Sequence, residues 1–197
     1  SNLRCITESL DQTPSTGFWG KNSSGVNFNV REFGQSNVYH ADIKGKVKKI
    51  TSGNHMLTMN DLVGSDAVAT WTDPSNPSDI ISFSIDKPNK INRLTDVNKD
   101  IFYNVEFGEV EEITYKSVDE KYVQGWIVKP PNFDSNKKYP LVLRIHGGPH
   151  SMYHVGFNYN FQLHAAQDQV VLYTNTRGSK GYGYDFANAI QNAYPGN

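Results

Sequence analysis

Alternation of apolar and polar positions dominates the first hundred residues. Val26-Asn27-Phe28-Asn29-Val30, Val38-Tyr39-His40-Ala41-Asp42-Ile43, Ala67-Val68-Ala69-Thr70-Trp71 and Ile81-Ser82-Phe83-Ser84-Ile85-Asp86 each carry a period of two, which sends successive side chains to opposite faces of a strand. The segments at 38–43 and 81–86 each lead into a lysine-containing turn, as hairpins do. Three strand endings recur: Cys5-Ile6-Thr7, Lys49-Ile50-Thr51 and Arg93-Leu94-Thr95, with Ile6, Ile50 and Leu94 at a constant spacing of 44 residues. A period of roughly 40–50 residues holding about four short strands is the pattern of β-propeller blades. Only two full units fit, fewer than the four or so that close a ring. Residues 1–105 are therefore expected to form the C-terminal blades of a propeller.

From Glu111 the texture changes. Ile113–Lys116 and Val123–Val128 predict a hairpin around the acidic turn Asp119-Glu120-Lys121. After the polar loop 130–138, the apolar runs Leu141-Val142-Leu143-Arg144-Ile145 and Val170-Val171-Leu172-Tyr173 bracket a helix-compatible stretch from Phe161 to Ala166. Such runs read as buried parallel strands of an α/β sheet. A glycine-punctuated loop, Asn175-Thr176-Arg177-Gly178-Ser179-Lys180-Gly181-Tyr182-Gly183, leads into a second helical stretch from Tyr184 to Asn192. Residues 106–197 thus begin an α/β domain.

Composition agrees and removes several function classes. With 20 asparagines, 16 glycines and 9 prolines, the chain favours strands and turns over helices. Its 19 lysines and arginines nearly balance 20 aspartates and glutamates, leaving no electrostatic footprint for nucleic acid or an acidic membrane surface. One cysteine, Cys5, excludes an internal disulfide framework and any CxxC site. No apolar run of about 20 residues could span a membrane. Lys44, Lys46, Lys48 and Lys49 read as a solvated edge, Trp19, Trp71 and Trp126 as core residues, and Glu106, Glu109, Glu111 and Glu112 as solvated linker positions. The 197-residue sequence opens on Ser1 and stops on Ala-Tyr-Pro-Gly-Asn just after a helical stretch, so it reads as part of a longer polypeptide.

The strongest local chemistry is His146-Gly147-Gly148-Pro149, directly after the run 141–145. Adjacent glycines let a backbone leave a strand sharply and aim its N–H groups at one point. Hydrolases of the α/β class place such a loop after their third strand to supply an oxyanion N–H. The nucleophile elbow G-x-S-x-G of that class does not occur in the sequence. Ser179 has arginine where the first glycine belongs, and Ser151 fits no better. The His146, His150, His154 series would share one face only on a helix, which Gly147, Gly148 and Pro149 prevent, so no metal is expected.

These two segments, Tyr139–His150 and Asn175–Gly183 in this order, resemble the prolyl oligopeptidase family of serine peptidases, in its branch of acylaminoacyl peptidases and dipeptidyl-peptidase-like enzymes. The resemblance implies a propeller followed by an α/β-hydrolase domain, consistent with the 44-residue repeat. It implies Gly148 as the first oxyanion N–H, Gly147 as the residue shaping the turn, His146 as the residue holding the loop, and Arg177–Gly183 as a loop that shapes the site. The family's serine, acid and histidine all follow the Arg-Gly-Ser motif, so the triad is expected outside this chain, and the chain alone is expected to be inactive. It also implies short peptides as substrates and no cofactor. Self-association and a cytoplasmic or periplasmic location are left open. An esterase with the same glycine loop, and a non-catalytic β-rich binding module, are the competing readings.

Overall fold

The computed structural model describes residues 3–193; Ser1-Asn2 and the terminal Tyr194-Pro195-Gly196-Asn197 lie outside the described residues. Its architecture is mostly β, with two mixed sheets and few helices. Contacts divide it into two units. One runs up to Val97 and includes His154–Gly156; the other comprises Asn98–Tyr153 and the residues from Phe157 onward.

The first unit is an eight-stranded sheet made of two four-stranded antiparallel meanders. The first meander holds β1 (Pro14–Trp19), β2 (Gly25–Glu32), β3 (Gln35–Asp42) and β4 (Val47–Lys49). The second holds β5 (Met56–Val63), β6 (Asp66–Thr72), β7 (Asp79–Ser84) and β8 (Lys87–Arg93). They meet at one parallel bridge, Ser36 to Met56. Alternation along β3 serves both of its faces. Tyr39 and Ala41 pack with Phe28 and Val30 of β2, while Val38 joins Leu57, Met59, Ala67, Ala69, Ile81 and Phe83 of the second meander. His154–Gly156 fastens onto this unit through Val155, which is buried and donates its N–H to Gly34 O at 2.9 Å.

Two of the recurring endings have a common physical basis. Thr51 Oγ1 accepts from Val38 N at 2.8 Å and donates to Asn37 Oδ1 at 3.1 Å. Thr95 Oγ1 accepts from Ile80 N at 2.9 Å and donates to Asp79 Oδ1 at 2.7 Å. In both places the residue after the outer strand turns back and clasps the start of the third strand. Asp79 also accepts from Arg93 Nε at 3.0 Å and from Val97 N at 3.2 Å. The third ending, Cys5-Ile6-Thr7, does not close a strand: residues 6–9 form a turn. The first strand of each meander lacks a clean alternation because both are bulged, β1 between Pro14 and Gly17 and β5 between Met59 and Asp61, which breaks the period of two.

The second unit contains α1 (Lys99–Phe102) and a four-stranded sheet in the order β11-β12-β10-β9. β9 (Val110–Lys116) and β10 (Tyr122–Val128) form the expected hairpin. β12 (Val170–Asn175) runs antiparallel to β10 and parallel to β11 (Leu141–Arg144). Helix α2 (Tyr159–Ala165) connects β11 to β12, and its N-terminus is capped by Asn158 Oδ1, which accepts from Phe161 N at 3.1 Å. The core of this unit is aromatic: Trp126 stacks on Tyr173 with centroids 5.2 Å apart, and Phe161 lies 4.7 Å from Tyr173. Helix α3 (Tyr184–Asn188) follows the glycine loop. Among the described residues no helix is long and apolar enough to cross a membrane.

Three expectations need correction. β11 is an edge strand rather than a buried one, and Leu141, Leu143 and Ile145 are exposed because no described element covers that side of it. Trp19 is 68% exposed at the end of a strand that is itself an edge, whereas Trp126 is buried. Glu111 and Glu112 are strand residues of β9 with partners: Lys129 Nζ lies 2.6 Å from Glu111, and Glu112 accepts from Gln124 Nε2 at 2.7 Å.

Burial alone would raise the Asp79 carboxyl, but hydrogen bonds from Thr95, Arg93 and the Val97 N–H outweigh it and hold the group below the usual carboxylate range. A depressed folded-state pKa contributes stability that is present above the unfolded value of about 4 and is lost as pH falls through the folded one. Asp79→Ala is expected to destabilise the chain by about 3 kcal/mol, because it strands the polar groups that converge there. Urea unfolding from pH 7 to pH 3 should show an acid-dependent loss of stability in the wild type that shrinks in Asp79→Asn.

Candidate active site

Because β11 and β12 are parallel neighbours, the chain leaves both strands at the same edge of the sheet. The loops that follow, 145–153 and 176–183, therefore emerge together, at the carboxyl end of parallel strands, where α/β sheets place their ligands. The two motifs are sewn to one another along their length. His146 Nε2 lies 2.9 Å from Ser179 Oγ, His150 Nδ1 lies 3.0 Å from Gly178 O, and Lys180 N donates to Ser151 O at 3.0 Å. Tyr153 N donates to Asn175 Oδ1 at 2.7 Å.

Within the first loop the two glycines differ. Gly148 has φ +132°, a conformation that L side chains rarely adopt, and a Cβ there would lie 3.1 Å from Ser151 N. Gly147 is not in the left-handed region, and a Cβ on it would meet nothing within 4 Å. The backbone reversal thus rests on Gly148. Both residues are exposed, and among the described residues neither N–H has an acceptor. A backbone N–H left without a partner in a fixed loop can hold a developing negative charge.

His146 is engaged at both ring nitrogens. Nδ1 lies 3.1 Å from Gly147 O, and a carbonyl can only accept, so Nδ1 carries the proton and Nε2 accepts from the Ser179 hydroxyl. This resembles a serine–histidine pair, yet Ser179 is fully buried, and the far side of the imidazole faces a carbonyl where an orienting carboxylate would be needed. The bond fixes one loop to the other. The Tyr153 ring stands edge-on to His146 at 5.1 Å and closes the other side. His154 belongs to the first unit and accepts from Gly156 N at 3.1 Å. His164 lies 2.7 Å from Gln169 Oε1. Among the described residues no group of His, Cys, Asp and Glu could hold a metal.

Arg177, in the second loop, is anchored by Asp119 of the β9–β10 turn at 3.2 Å. Burial tends to raise the Asp119 carboxyl, and hydrogen bonds from Ser117 and the backbone, with the Arg177 charge, bring it below the usual range. A cleft of about 500 Å³ adjoins the first loop, lined by Pro149, His150, Tyr184, Asn188, Ile190 and Gln191. The glycine patterns mark the two loops but not Asp119, Gln124, Asn175 or Tyr182, which hold them. Asn175 and Tyr182 lie within the second motif, whereas Asp119 and Gln124 lie on the preceding hairpin and carry no local signature.

The sequence profile of the prolyl oligopeptidase family matches residues 155–197. The chain is 32% identical to the Bacillus subtilis peptidase YuxL over 98% of its own length and 32% of that protein's. It is 28% identical to dipeptidyl-peptidase 5 of Porphyromonas gingivalis over 90% of its own length and 26% of the relative's. The acylaminoacyl peptidase of Pyrococcus horikoshii superposes with a TM-score of 0.79 at 28% identity, over 94% of this chain and 28% of that one. The chain is thus similar over most of its length to peptidases, and its C-terminal residues 155–197 match the prolyl oligopeptidase family. It spans about a third or less of the length of the relatives it matches.

The two glycines separate in one experiment. Gly148→Ala should cost about 1–3 kcal/mol, the cost of a strained backbone position, and Gly147→Ala should stay within about 0.5 kcal/mol of wild type, both measured by urea unfolding. Equal losses at the two positions would contradict the assignment.

Proposed function

We propose that this chain is the portion of a serine peptidase that ends its β-propeller, residues 1–105, and begins its α/β-hydrolase domain, residues 106–197. In this reading Gly148 N–H supplies one of the two donors to the oxyanion, Gly147 carries the strand into the turn, and His146 holds the loop. The observation that carries it is Gly148, an exposed residue whose N–H has no acceptor among the described residues, on a loop fixed at the carboxyl end of a parallel strand. The order of elements in the second unit supports it: an antiparallel hairpin, then a strand, a crossover helix and a parallel strand.

The catalytic serine, with its acid and histidine, lies outside this chain. It attacks the scissile carbonyl of a short peptide while histidine takes its proton, and water then cleaves the acyl-enzyme. Gly148 N–H and the amide after that serine share the charge of the tetrahedral intermediate; one such donor is worth about 10²–10³ in rate. His146 takes no proton from substrate, since both of its nitrogens are engaged in holding the loop. The names of the relatives favour release of N-terminal acylamino acids or dipeptides.

A fluorophosphonate probe should leave the 197-residue chain unlabelled and label the longer polypeptide at a serine of a G-x-S-x-G elbow beyond Asn197, followed by Asp and His. Covalent labelling of Ser151 or Ser179, or a reading frame that continues without such an elbow, would overturn this function.

A further inference from the structure

Asn175 ends β12 and is fully buried. Its Oδ1 accepts from Tyr153 N at 2.7 Å, and its Nδ2 donates to Tyr153 O at 2.9 Å. One side-chain amide thereby pairs with both backbone polar groups of a single residue, as a neighbouring strand would. The orientation is unambiguous, since a flipped amide would oppose donor to donor and acceptor to acceptor. The second Nδ2 proton goes to Tyr182 Oη at 2.7 Å, Tyr182 Oη donates to Gln124 Oε1 at 2.5 Å, and Gln124 Nε2 donates to Glu112 at 2.7 Å. The chain of bonds runs from β9 through β10 and β12 to both glycine loops. Burial, with the Glu112 charge nearby, pushes the Tyr182 hydroxyl well above its ordinary range, so it stays a neutral donor at any working pH.

Tyr153 is the far anchor of the loop that carries Gly148. Its backbone is held by Asn175, and its ring packs edge-on against His146 at 5.1 Å and Tyr173 at 5.3 Å. We propose that Asn175 is the positioning residue for the oxyanion loop: by clamping the Tyr153 backbone it sets where Gly148 N–H points. This rests on the peptidase reading above for its catalytic consequence, though not for its structural one. A displacement of a reacting group by about 1 Å costs on the order of a hundredfold in rate, so a clamp with three hydrogen bonds has leverage on turnover without touching substrate.

Asn175→Ala and Asn175→Asp test it, the first on the loop and on turnover. In the 197-residue chain, Asn175→Ala should shift the Tyr153, Gly147 and Gly148 amide resonances and speed exchange at Tyr153 about tenfold or more, while β2 and β3 stay unchanged. Asn175→Asp keeps size and one acceptor but sets an oxygen against Tyr153 O; its Tyr153 resonance should return toward wild type as pH falls and the new carboxyl protonates. In the longer polypeptide, Asn175→Ala should lower kcat about a hundredfold with KM within about twofold. Loop amides that keep their wild-type positions in both variants, or undiminished kcat, overturn the proposal. If the wild-type longer polypeptide hydrolyses no peptide, the peptidase reading fails, and the amide shifts alone decide the role of Asn175.

Discussion

The parallel pairing of β11 with β12 is the constraint on which the candidate site depends. Leu141 to Arg144 lie in register with Val170 to Tyr173, so two segments about 30 residues apart in sequence leave the sheet side by side. Without that pairing, His146-Gly147-Gly148 and Arg177-Gly178-Ser179 would be two unrelated turns. With it, they become one structure, closed by His146–Ser179, His150–Gly178, Ser151–Lys180 and Tyr153–Asn175. Most of these bonds pair a backbone group of one loop with a group of the other, so they fix the course of the chain more than any side-chain chemistry. The product is a loop fixed at several points, with Gly148 exposed and its N–H without an acceptor among the described residues, the form of preorganisation that the proposed oxyanion role requires.

The first unit solves a different problem with equal economy of parts. A four-stranded meander has an outer strand with little to hold it, and each meander here answers with a threonine placed just past that strand. Thr51 and Thr95 each bridge a backbone N–H and the side chain of the residue before it, Asn37 or Asp79. The neutral and the charged version of the clasp differ in their further partners. His55 Nε2 lies 3.1 Å from Asn37 Oδ1, whereas Arg93 pairs with Asp79. For the endings at Thr51 and Thr95 the repeat visible in the sequence is thus a repeat of this hydrogen-bond node, which explains why threonine recurs at both.

Much of this was legible beforehand, and the omissions have physical reasons. Strands β2, β3, β6 and β7 pack on one or both faces and keep a clean period of two, so they could be read directly. β1 and β5 lack that clean pattern, because each carries a bulge, and at Asn60 the side chain takes over a pairing role by accepting from Thr70 N at 2.8 Å. The run at 141–145 had the composition of a buried strand, and its exposure follows from its place at the sheet edge, which composition does not encode. Both glycine loops were found from their own residues, and the requirement for glycine proved to lie at Gly148. Gln124, Asp119 and Asn175 escaped because their roles depend on partners 22 to 58 residues away.

The central claim is that the two loops form a single mechanical unit. Native-state hydrogen exchange across a series of denaturant concentrations addresses it most directly, through the amides of Tyr153 and Lys180, which reach across in opposite directions. If the loops open together, both amides will show the same opening free energy and the same denaturant dependence. Separate values, with Tyr153 exchanging like an exposed turn while Lys180 stays protected, would contradict the account.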